Sequence, residues 1–312
     1  MAQNIKPLSI IYNQKSGFHA AQQDEEYERL MTFWTQYGFE IQVFELNSQV
    51  DFDDLMTTVL ARHQQSEHKG VVVAAGGDGT LNAVAKKLLH SDIAMGIMPL
   101  GTFNYVARAL NIPIDVAQAA KVIATGAIQE VHVAAINDQI YLNNASLGLY
   151  PLFIKKRERY NQRFGRFPLN AYTSGLDVLL REHKSLKLAV TIDEQRYPVA
   201  TPLVFFGNNQ LQLSDMKLRI AECAAHGKLA GVVVAKSDRL SLMKMLWKLV
   251  QGKIDQASDV YSFCAEHIQV NCKKPKLTVA IDGELMEMDT PLKFSVKKSA
   301  LKVMVPNAVT SV

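Results

Sequence analysis

The fold of this chain is decided by the stretch from Gly70 to Thr80, which reads GVVVAAGGDGT. Its first part, Gly70–Ala75, is a continuous apolar run, which is typical of a strand buried in a parallel sheet. Its second part, Gly76–Thr80, places three glycines around one aspartate. Glycine lets the backbone turn tightly and approach an anion without a Cβ in the way. The stretch therefore predicts a buried strand, a phosphate-binding turn and the start of a helix.

Strand and helix patterns alternate on both sides of this stretch up to about residue 134. Strands are predicted at Leu8–Tyr12, Glu40–Leu46 and Ile93–Met98, and helices at Asp24–Tyr37, Asp51–Gln65, Thr80–Leu89, Asn104–Leu110 and Ile114–Ala124. A series of this kind predicts a doubly wound parallel sheet. Residues 1–134 are therefore expected to form an N-terminal α/β domain.

Short β-type runs dominate the second half of the chain. They lie at Gln139–Leu142, Leu186–Ile192, Tyr197–Phe206, Gly231–Ala235, Tyr261–Val270, Lys276–Ile281 and Leu292–Val296. This spacing predicts a β-rich, sandwich-like antiparallel domain over residues 135–297. Because no linker rich in proline, glycine or serine separates the halves, the two domains are expected to lie close together with a cleft between them.

The composition excludes several classes of protein. The 312 residues are 48% hydrophobic and 21% charged, which is ordinary for a globular protein and wrong for a disordered one. A net charge of +4 is too small to indicate nucleic acid by itself. No apolar run approaches the ~20 residues of a membrane span, so a cytoplasmic protein without a transmembrane segment is expected. The cysteines, Cys223, Cys264 and Cys272, are odd in number and lack CxxC spacing, so thiols are expected.

The aspartate inside the glycine turn indicates a metal ion. Asp78 would repel a bare phosphate, so its presence favours a divalent cation that accompanies a nucleotide. Thr80 can cap the helix or bind a phosphate oxygen. A Walker-type loop is excluded because no Gly-Lys-Ser/Thr follows, and a dinucleotide fingerprint fails because Asn82 stands at the third glycine position. A plain strand-to-helix turn remains the alternative.

A second segment, Pro99–Arg108, follows the next predicted strand and reads PLGTFNYVAR. Together with Gly76–Thr80 it closely resembles the diacylglycerol kinase catalytic domain family, which includes bacterial lipid kinases and sphingosine kinases. NAD kinases and phosphofructokinases are more distantly similar. Asn13, which stands before Ser16-Gly17, and the run Ile281–Glu284 match two further motifs of the family. The resemblance therefore spans nearly the whole chain.

The resemblance implies an ATP-dependent lipid kinase that uses Mg²⁺, with the nucleotide between the two domains. It implies that Asp282 is the general base, with Glu284 as a supporting carboxylate, and that residues 298–312 return to the first domain. From the residues alone, a hairpin turn at Asp282-Gly283 is the stronger interpretation. The nucleotide-binding residues expected are Asn13, Gly76, Gly77, Asp78, Gly79, Thr80, Asn82, Gly101, Thr102 and Asn104.

The chain also departs from the family pattern. His226 stands where relatives carry an aspartate that helps to bind a structural magnesium, and imidazole is a poor ligand for that ion. Many members have Asp where this chain has Tyr105. These departures put metal use and the identity of the acceptor in doubt. A catalytically impaired nucleotide- or lipid-binding homologue and an NAD-type small-molecule kinase are therefore the alternatives.

The expected partner is a lipid substrate at an anionic membrane surface, with the protein peripheral at the inner face of the membrane. The basic stretch Lys155–Arg166, which carries interleaved aromatic residues, favours this surface. A solvated helix face would explain the stretch equally well. No nucleic-acid partner is expected, and a homodimer is left open.

Overall fold

The computed structural model describes most of the chain. The described residues are 5–13, 25–47, 49–164, 185–215, 218–235, 238, 240–241 and 259–307, with backbone alone for 26, 157–164 and 219. They belong to two compact units. The first unit comprises Met1–Val133 and Lys298–Val312, and the second comprises Ala134–Lys297. Most side chains of the basic stretch Lys155–Arg166 lie outside the described residues.

Strands and helices alternate in the first unit, and strands predominate in the second. The strands are β1 (Lys6–Asn13), β2 (Phe39–Leu46), β3 (Val71–Gly76), β4 (Ala94–Pro99), β5 (Ala127–Ile136), β6 (Gln139–Tyr141), β7 (Asn144–Gly148), β8 (Leu186–Ile192), β9 (Gln195–Thr201), β10 (Leu203–Gly207), β11 (Leu229–Val234), β12 (Val260–Ala265), β13 (His267–Cys272), β14 (Lys276–Ile281), β15 (Glu284–Asp289) and β16 (Leu292–Val305). The helices are α1 (Glu25–Gln36), α2 (Phe52–Gln65), α3 (Asp78–Leu88), α4 (Tyr105–Ala109), α5 (Val116–Thr125), α6 (Leu149–Phe164), α7 (Gln210–Asp215) and α8 (Glu222–Ala225), with a 3₁₀ turn at Arg219–Ala221.

The first unit is a parallel sheet in the order β2-β1-β3-β4-β16. Every residue of β3 and β4 is buried, as strands covered on both faces must be. The Trp34 indole N–H of α1 donates to the Ala120 carbonyl of α5, and Lys87 of α3 pairs with Asp53 of α2. Helix α1 therefore contacts α5, and α2 contacts α3. The strand order, in which β1 lies between β2 and β3, confirms the predicted doubly wound sheet.

Helix α3 begins two residues before the predicted start. Gly77 is its N-cap and Asp78 is its first helical residue, so Asp78, Gly79 and Thr80 form the first helical turn instead of a loop. A glycine at the cap position leaves the following N–H groups without a side-chain cap. The acidic side chain of Asp78 suits the positive end of the helix dipole.

The second unit contains two antiparallel sheets, which confirms the predicted β-rich domain. One runs in the order β16-β13-β8-β9 and the other in the order β12-β11-β10-β7-β14-β15. Their facing side chains form a common core, in which the rings of Phe206 and Phe294 have centroids 4.2 Å apart. No helix among the described residues has both the length and the hydrophobicity needed to cross a bilayer.

Helices α7 and α8 cover the outer face of the second sheet. Leu213 and Ala224 pack there against Phe205 and Val232. Cys223 of α8 forms a disulfide with Cys264 of β12, 41 residues later in the chain. The expectation of thiols at these two positions was wrong. The spacing of the cysteines in the sequence does not indicate a disulfide, but the fold brings these two together. Cys272 is a free thiol.

A buried histidine ties α2 to the parallel sheet. His63 is fully buried, its Nε2 lies 2.9 Å from the Ser9 hydroxyl, and its Nδ1 contacts the Lys69 carbonyl. Because a carbonyl only accepts, Nδ1 carries the proton of the neutral ring. Arg62 donates to the same hydroxyl at 2.9 Å. Burial lowers the pKa of His63; the hydrogen bond to Lys69 opposes this shift, and the charge of Arg62 adds to it.

Acid should therefore destabilise the first unit. The folded-state pKa of His63 lies below its unfolded value, so the neutral ring contributes stability above pH 6.5 that is lost as the pH falls further. We expect the urea midpoint of the wild type to fall more steeply between about pH 7 and pH 5 than that of His63→Gln. The exposed His267 is the control, and a His63→Gln slope as steep as that of His267→Gln would contradict the assignment.

Candidate active site

The predicted nucleotide motifs lie at one edge of the parallel sheet. Asn13 ends β1, Gly76 ends β3 and Pro99 ends β4, and the register places Gly76 beside Pro99 and Tyr12 beside Ala75. Strand β2 lies on one side of β1 and β3 lies on the other, so the direction in which strands are added to the sheet reverses at β1. Ligands of open α/β sheets bind at this edge, beside this reversal point.

The turn after β3 and the turn after β4 touch through two glycines. A Cβ added to Gly101 would lie 2.8 Å from the Cα of Gly77, which is closer than a carbon can approach. The Leu100 N–H also donates to the Gly76 carbonyl at 3.2 Å. The two sequence motifs therefore meet in a single surface, and this meeting requires glycine at position 101.

Asn104 holds the second turn in place. Its Oδ1 accepts the Gly101 N–H at 2.9 Å, and its Nδ2 donates to the Gly101 carbonyl at 2.9 Å and the Pro99 carbonyl at 3.2 Å. The residue is buried and left-handed, with φ of 50°, a conformation that asparagine tolerates better than most residues. Its amide thus supports the turn, and its predicted contact with a nucleotide stays a prediction.

The remaining predicted residues of this unit surround the start of α3. Asp78 and Thr80 are half-buried in the first turn of α3, and Asn82 lies in the next turn of that helix. Thr102 is exposed in the turn that follows β4. A Cβ on Gly76 would meet the Thr80 hydroxyl at 2.7 Å. Helix N–H groups without a side-chain cap, beside one carboxylate, suit an anion that arrives with its own cation.

An aromatic pair that the sequence did not single out follows Thr102. Phe103 is 59% exposed, and its ring stacks on Tyr105 with centroids 5.9 Å apart and 12° between the planes. The Arg108 guanidinium lies 5.6 Å from the centroid of the Tyr105 ring. Tyr105, a position at which the chain departs from the family pattern, thus contacts both an aromatic ring and a cation.

Asp282 of the second unit occupies a tight hairpin turn. It joins β14 to β15 together with Gly283, and both residues have positive φ, at 46° and 90°. Its Oδ1 accepts the N–H groups of Asn143 at 2.8 Å and Asn144 at 3.0 Å, and its Oδ2 accepts the Leu142 N–H at 2.8 Å. The Asp-Gly pair does form the hairpin, and three backbone donors also fix the carboxylate.

Buried polar side chains surround this carboxylate, and sequence reasoning missed them. Asn143, Asn144 and Asn209 are each at most 5% exposed. Burial, and after it the charge of Asp282, raises the pKa of Tyr141 well above its usual value, so the phenol stays protonated. A signal was present in the sequence, because the doublets Asn143-Asn144 and Asn208-Asn209 both follow apolar segments.

Two other residues singled out from the sequence are Glu284 and His226. Glu284 is exposed at the start of β15, so its supporting role stays a prediction. His226 is the C-cap residue that follows α8, and its Nδ1 donates to the Glu222 carbonyl at 2.8 Å. Among the described residues, no group of three or more His, Cys, Asp and Glu side chains could hold a metal ion. A nucleotide-bound Mg²⁺ needs only one or two carboxylates besides phosphate oxygens, and Asp78 fits that requirement.

Comparison with known proteins decides the family. The model of the diacylglycerol kinase catalytic domain matches residues 7–136, and the model of the YegS C-terminal NAD kinase beta sandwich-like domain matches residues 157–305. Residues 7–136 belong to the diacylglycerol kinase catalytic domain family. The resemblance inferred from the GGDGT and PLGT motifs is thereby confirmed.

Relatives within the diacylglycerol kinase family extend over nearly the whole chain. A diacylglycerol kinase of Staphylococcus saprophyticus is 25% identical over 97% of this chain and 97% of its own length. One from Staphylococcus aureus is 26% identical over 89% of this chain and 86% of its own length. A crystal structure of a diacylglycerol kinase from Bacillus anthracis has the same fold, with a TM-score of 0.70 at 21% identity, over 98% of this chain and 99% of that one.

The contact between the two turns leads to a prediction about stability. Gly101→Ala should separate the turns, because its Cβ cannot fit beside Gly77. We expect the free energy of unfolding in urea to fall by about 1–3 kcal/mol, as overpacking usually costs. Thr102→Ala alters the same turn at an exposed position and is the control. Equal midpoints for Gly101→Ala and the wild type would show that the turns separate without cost.

Proposed function

We propose that this protein is an ATP-dependent lipid kinase that transfers the γ-phosphate of ATP to the hydroxyl of diacylglycerol or a related lipid. The observation that carries the proposal is the contact of Gly77 with Gly101. It joins the two motifs of a diacylglycerol kinase catalytic domain into one surface at the ligand-binding edge of a parallel sheet. The names of the relatives support the same activity.

The nucleotide is proposed to bind the ATP-binding domain that the sequence predicts over residues 1–134 and 298–312. Uncapped N–H groups at the start of α3 would receive its phosphates, and Asp78 would hold the accompanying Mg²⁺, which neutralises phosphate charge when bound. The residues assigned to this site are Asn13, Gly76, Gly77, Asp78, Gly79, Thr80, Asn82, Gly101, Thr102 and Asn104. The cleft expected from the sequence stays a prediction.

The lipid is proposed to bind residues 135–297, with Asp282 as the general base. A lipid hydroxyl is a weak nucleophile at neutral pH, and a positioned carboxylate can accept its proton as the new P–O bond forms and ADP leaves. Three N–H donors hold the Asp282 carboxylate in one orientation, which is what proton transfer requires of a base.

Contact with an anionic membrane surface at the inner face of the membrane is part of the proposal. Its support is the start of α6, where Leu152 and Lys155 are exposed and Lys156 is half-buried. An exposed apolar side chain beside lysine stems suits an interface between lipid and water. A homodimer is compatible with the proposal and is not required by it.

A transfer assay with radiolabelled ATP over a lipid panel tests the proposed activity. The panel should contain diacylglycerol, phosphatidylglycerol and a sphingoid base in mixed micelles, with NAD in a separate reaction. We expect label in one lipid product, whose mass identifies the phosphorylated hydroxyl. Label in NAD would favour the NAD-type alternative. ATP binding without any transfer would favour the impaired homologue.

Substitution of Asp282 tests its role as the base. Asp282→Asn keeps the shape of the side chain and tolerates the left-handed backbone. Its amide nitrogen gives up the N–H contacts of one carboxylate oxygen, and the side chain can no longer accept the proton of the lipid hydroxyl. We expect unchanged ATP affinity and a kcat lower by about a hundredfold to ten-thousandfold. Glu287→Gln, an exposed change on the same hairpin, is the control. Turnover of Asp282→Asn within a few-fold of this control would remove Asp282 from the mechanism.

A further inference from the structure

Asp282 is part of a closed ring of hydrogen bonds formed by amide residues. The Asn143 side-chain oxygen accepts from Asn209 Nδ2 at 2.8 Å, and Asn209 Oδ1 accepts the Gln212 N–H at 3.0 Å. Gln212 Oε1 accepts from Asn144 Nδ2 at 2.9 Å. The backbone N–H groups of Asn143 and Asn144 both bind Asp282 Oδ1, which closes the circuit. We call these five residues the amide ring.

The amide ring joins three parts of the second unit. Asn143 and Asn144 lead into β7, Asn209 and Gln212 lie at the start of α7, and Asp282 lies in the β14–β15 turn. The Asn143 carbonyl also accepts the N–H groups of Asn208 at 2.8 Å and Asn209 at 3.2 Å. Because buried amides need partners and the dielectric is low there, a ring of this kind holds its members rigidly.

Gln212 is the member whose effect on Asp282 is easiest to separate. It is half-buried on α7, and its side chain contacts Asn144, not the carboxylate. Asn144 is 4% exposed, and within the described residues its Oδ1 has no hydrogen-bond partner. Among the described contacts, the bond from Nδ2 to Gln212 is therefore the one that orients this buried amide. The backbone N–H of the same residue in turn holds Asp282 Oδ1.

We propose that Gln212 and Asn209 are positioning residues for Asp282. The proposal rests on the function proposed above, in which Asp282 is the base. The two residues fix the segment Leu142–Asn144, and its three N–H groups fix the carboxylate. Loss of either residue lets the segment relax and displaces the base from the acceptor hydroxyl. A displacement of about 1 Å is enough to slow a reaction by about a hundredfold.

The experiment compares Gln212→Ala with Gln210→Ala in the lipid phosphorylation assay. Gln210 is the same residue type on the same helix and is exposed, which makes it a matched control. We expect Gln212→Ala to lower kcat by about tenfold to a hundredfold with KM for ATP unchanged. Gln212→Glu keeps an oxygen that accepts from Asn144 and should restore most of the activity. Equal kcat for Gln212→Ala and Gln210→Ala would overturn the proposal.

A double-mutant cycle separates positioning from a purely structural role. If Gln212 acts through Asp282, Gln212→Ala should cause no further loss of kcat when added to Asp282→Asn. An equal loss in both backgrounds would contradict the proposal. Asn209→Asp breaks the ring at the Asn143 contact and should lower kcat in the same way. This variant carries the test if Gln212→Ala fails to fold, and wild-type kcat in Asn209→Asp would then overturn the proposal.

The same measurements distinguish the two proposals from each other. If Asp282→Asn is inactive while Gln212→Ala is as active as Gln210→Ala, the base remains and only the positioning role fails. If Asp282→Asn retains wild-type turnover, the assignment of the base fails, and the positioning role fails with it.

Discussion

The close approach of Gly77 and Gly101 is the constraint on which the candidate nucleotide site depends. The two backbones meet where a single Cβ on Gly101 would overlap the other chain segment. Asn104 maintains this approach by binding Gly101 on both its N–H and its carbonyl side. Two motifs that lie about twenty residues apart in the sequence thereby become one surface at the carboxyl edge of β3 and β4. Asp78 directly follows Gly77, and Thr102 directly follows Gly101.

In the second unit, backbone groups fix the position of a charged side chain, the carboxylate of Asp282. A carboxylate in a hairpin turn would usually point into water, but the positive φ angles of Asp282 and Gly283 turn it towards Leu142–Asn144. Three backbone N–H donors then hold it. The amide ring extends this support to α7, so the position of one carboxylate depends on residues from three separate parts of the chain. This dependence on distant residues is why the ring, rather than the turn alone, has consequences for a reaction.

The sequence predicted strand bounds correctly where one run of residues forms one strand. Strands β8 and β14 have the predicted bounds, because alternating and apolar runs of six or seven residues end there at turn residues. Prediction failed where one apolar run serves two strands. Tyr197–Phe206 divides at Pro202 into β9 and β10, and Tyr261–Val270 divides into β12 and β13, which belong to different sheets. Hydrophobic periodicity indicates which residues of a run are buried, but it does not indicate which sheet the strand joins.

The sequence by itself determined the class of fold, the family and the positions of the glycine motifs, because these depend on local patterns and on residue types that few other sites require. The tertiary structure decided how those residues are held. Asn144 and Gln212 are 68 residues apart, and Asn143 and Asp282 are 139 residues apart. The disulfide joins Cys223 and Cys264, which are 41 residues apart. Contacts over such distances leave no period or spacing in the sequence, because they arise only when strands pair and helices pack upon them.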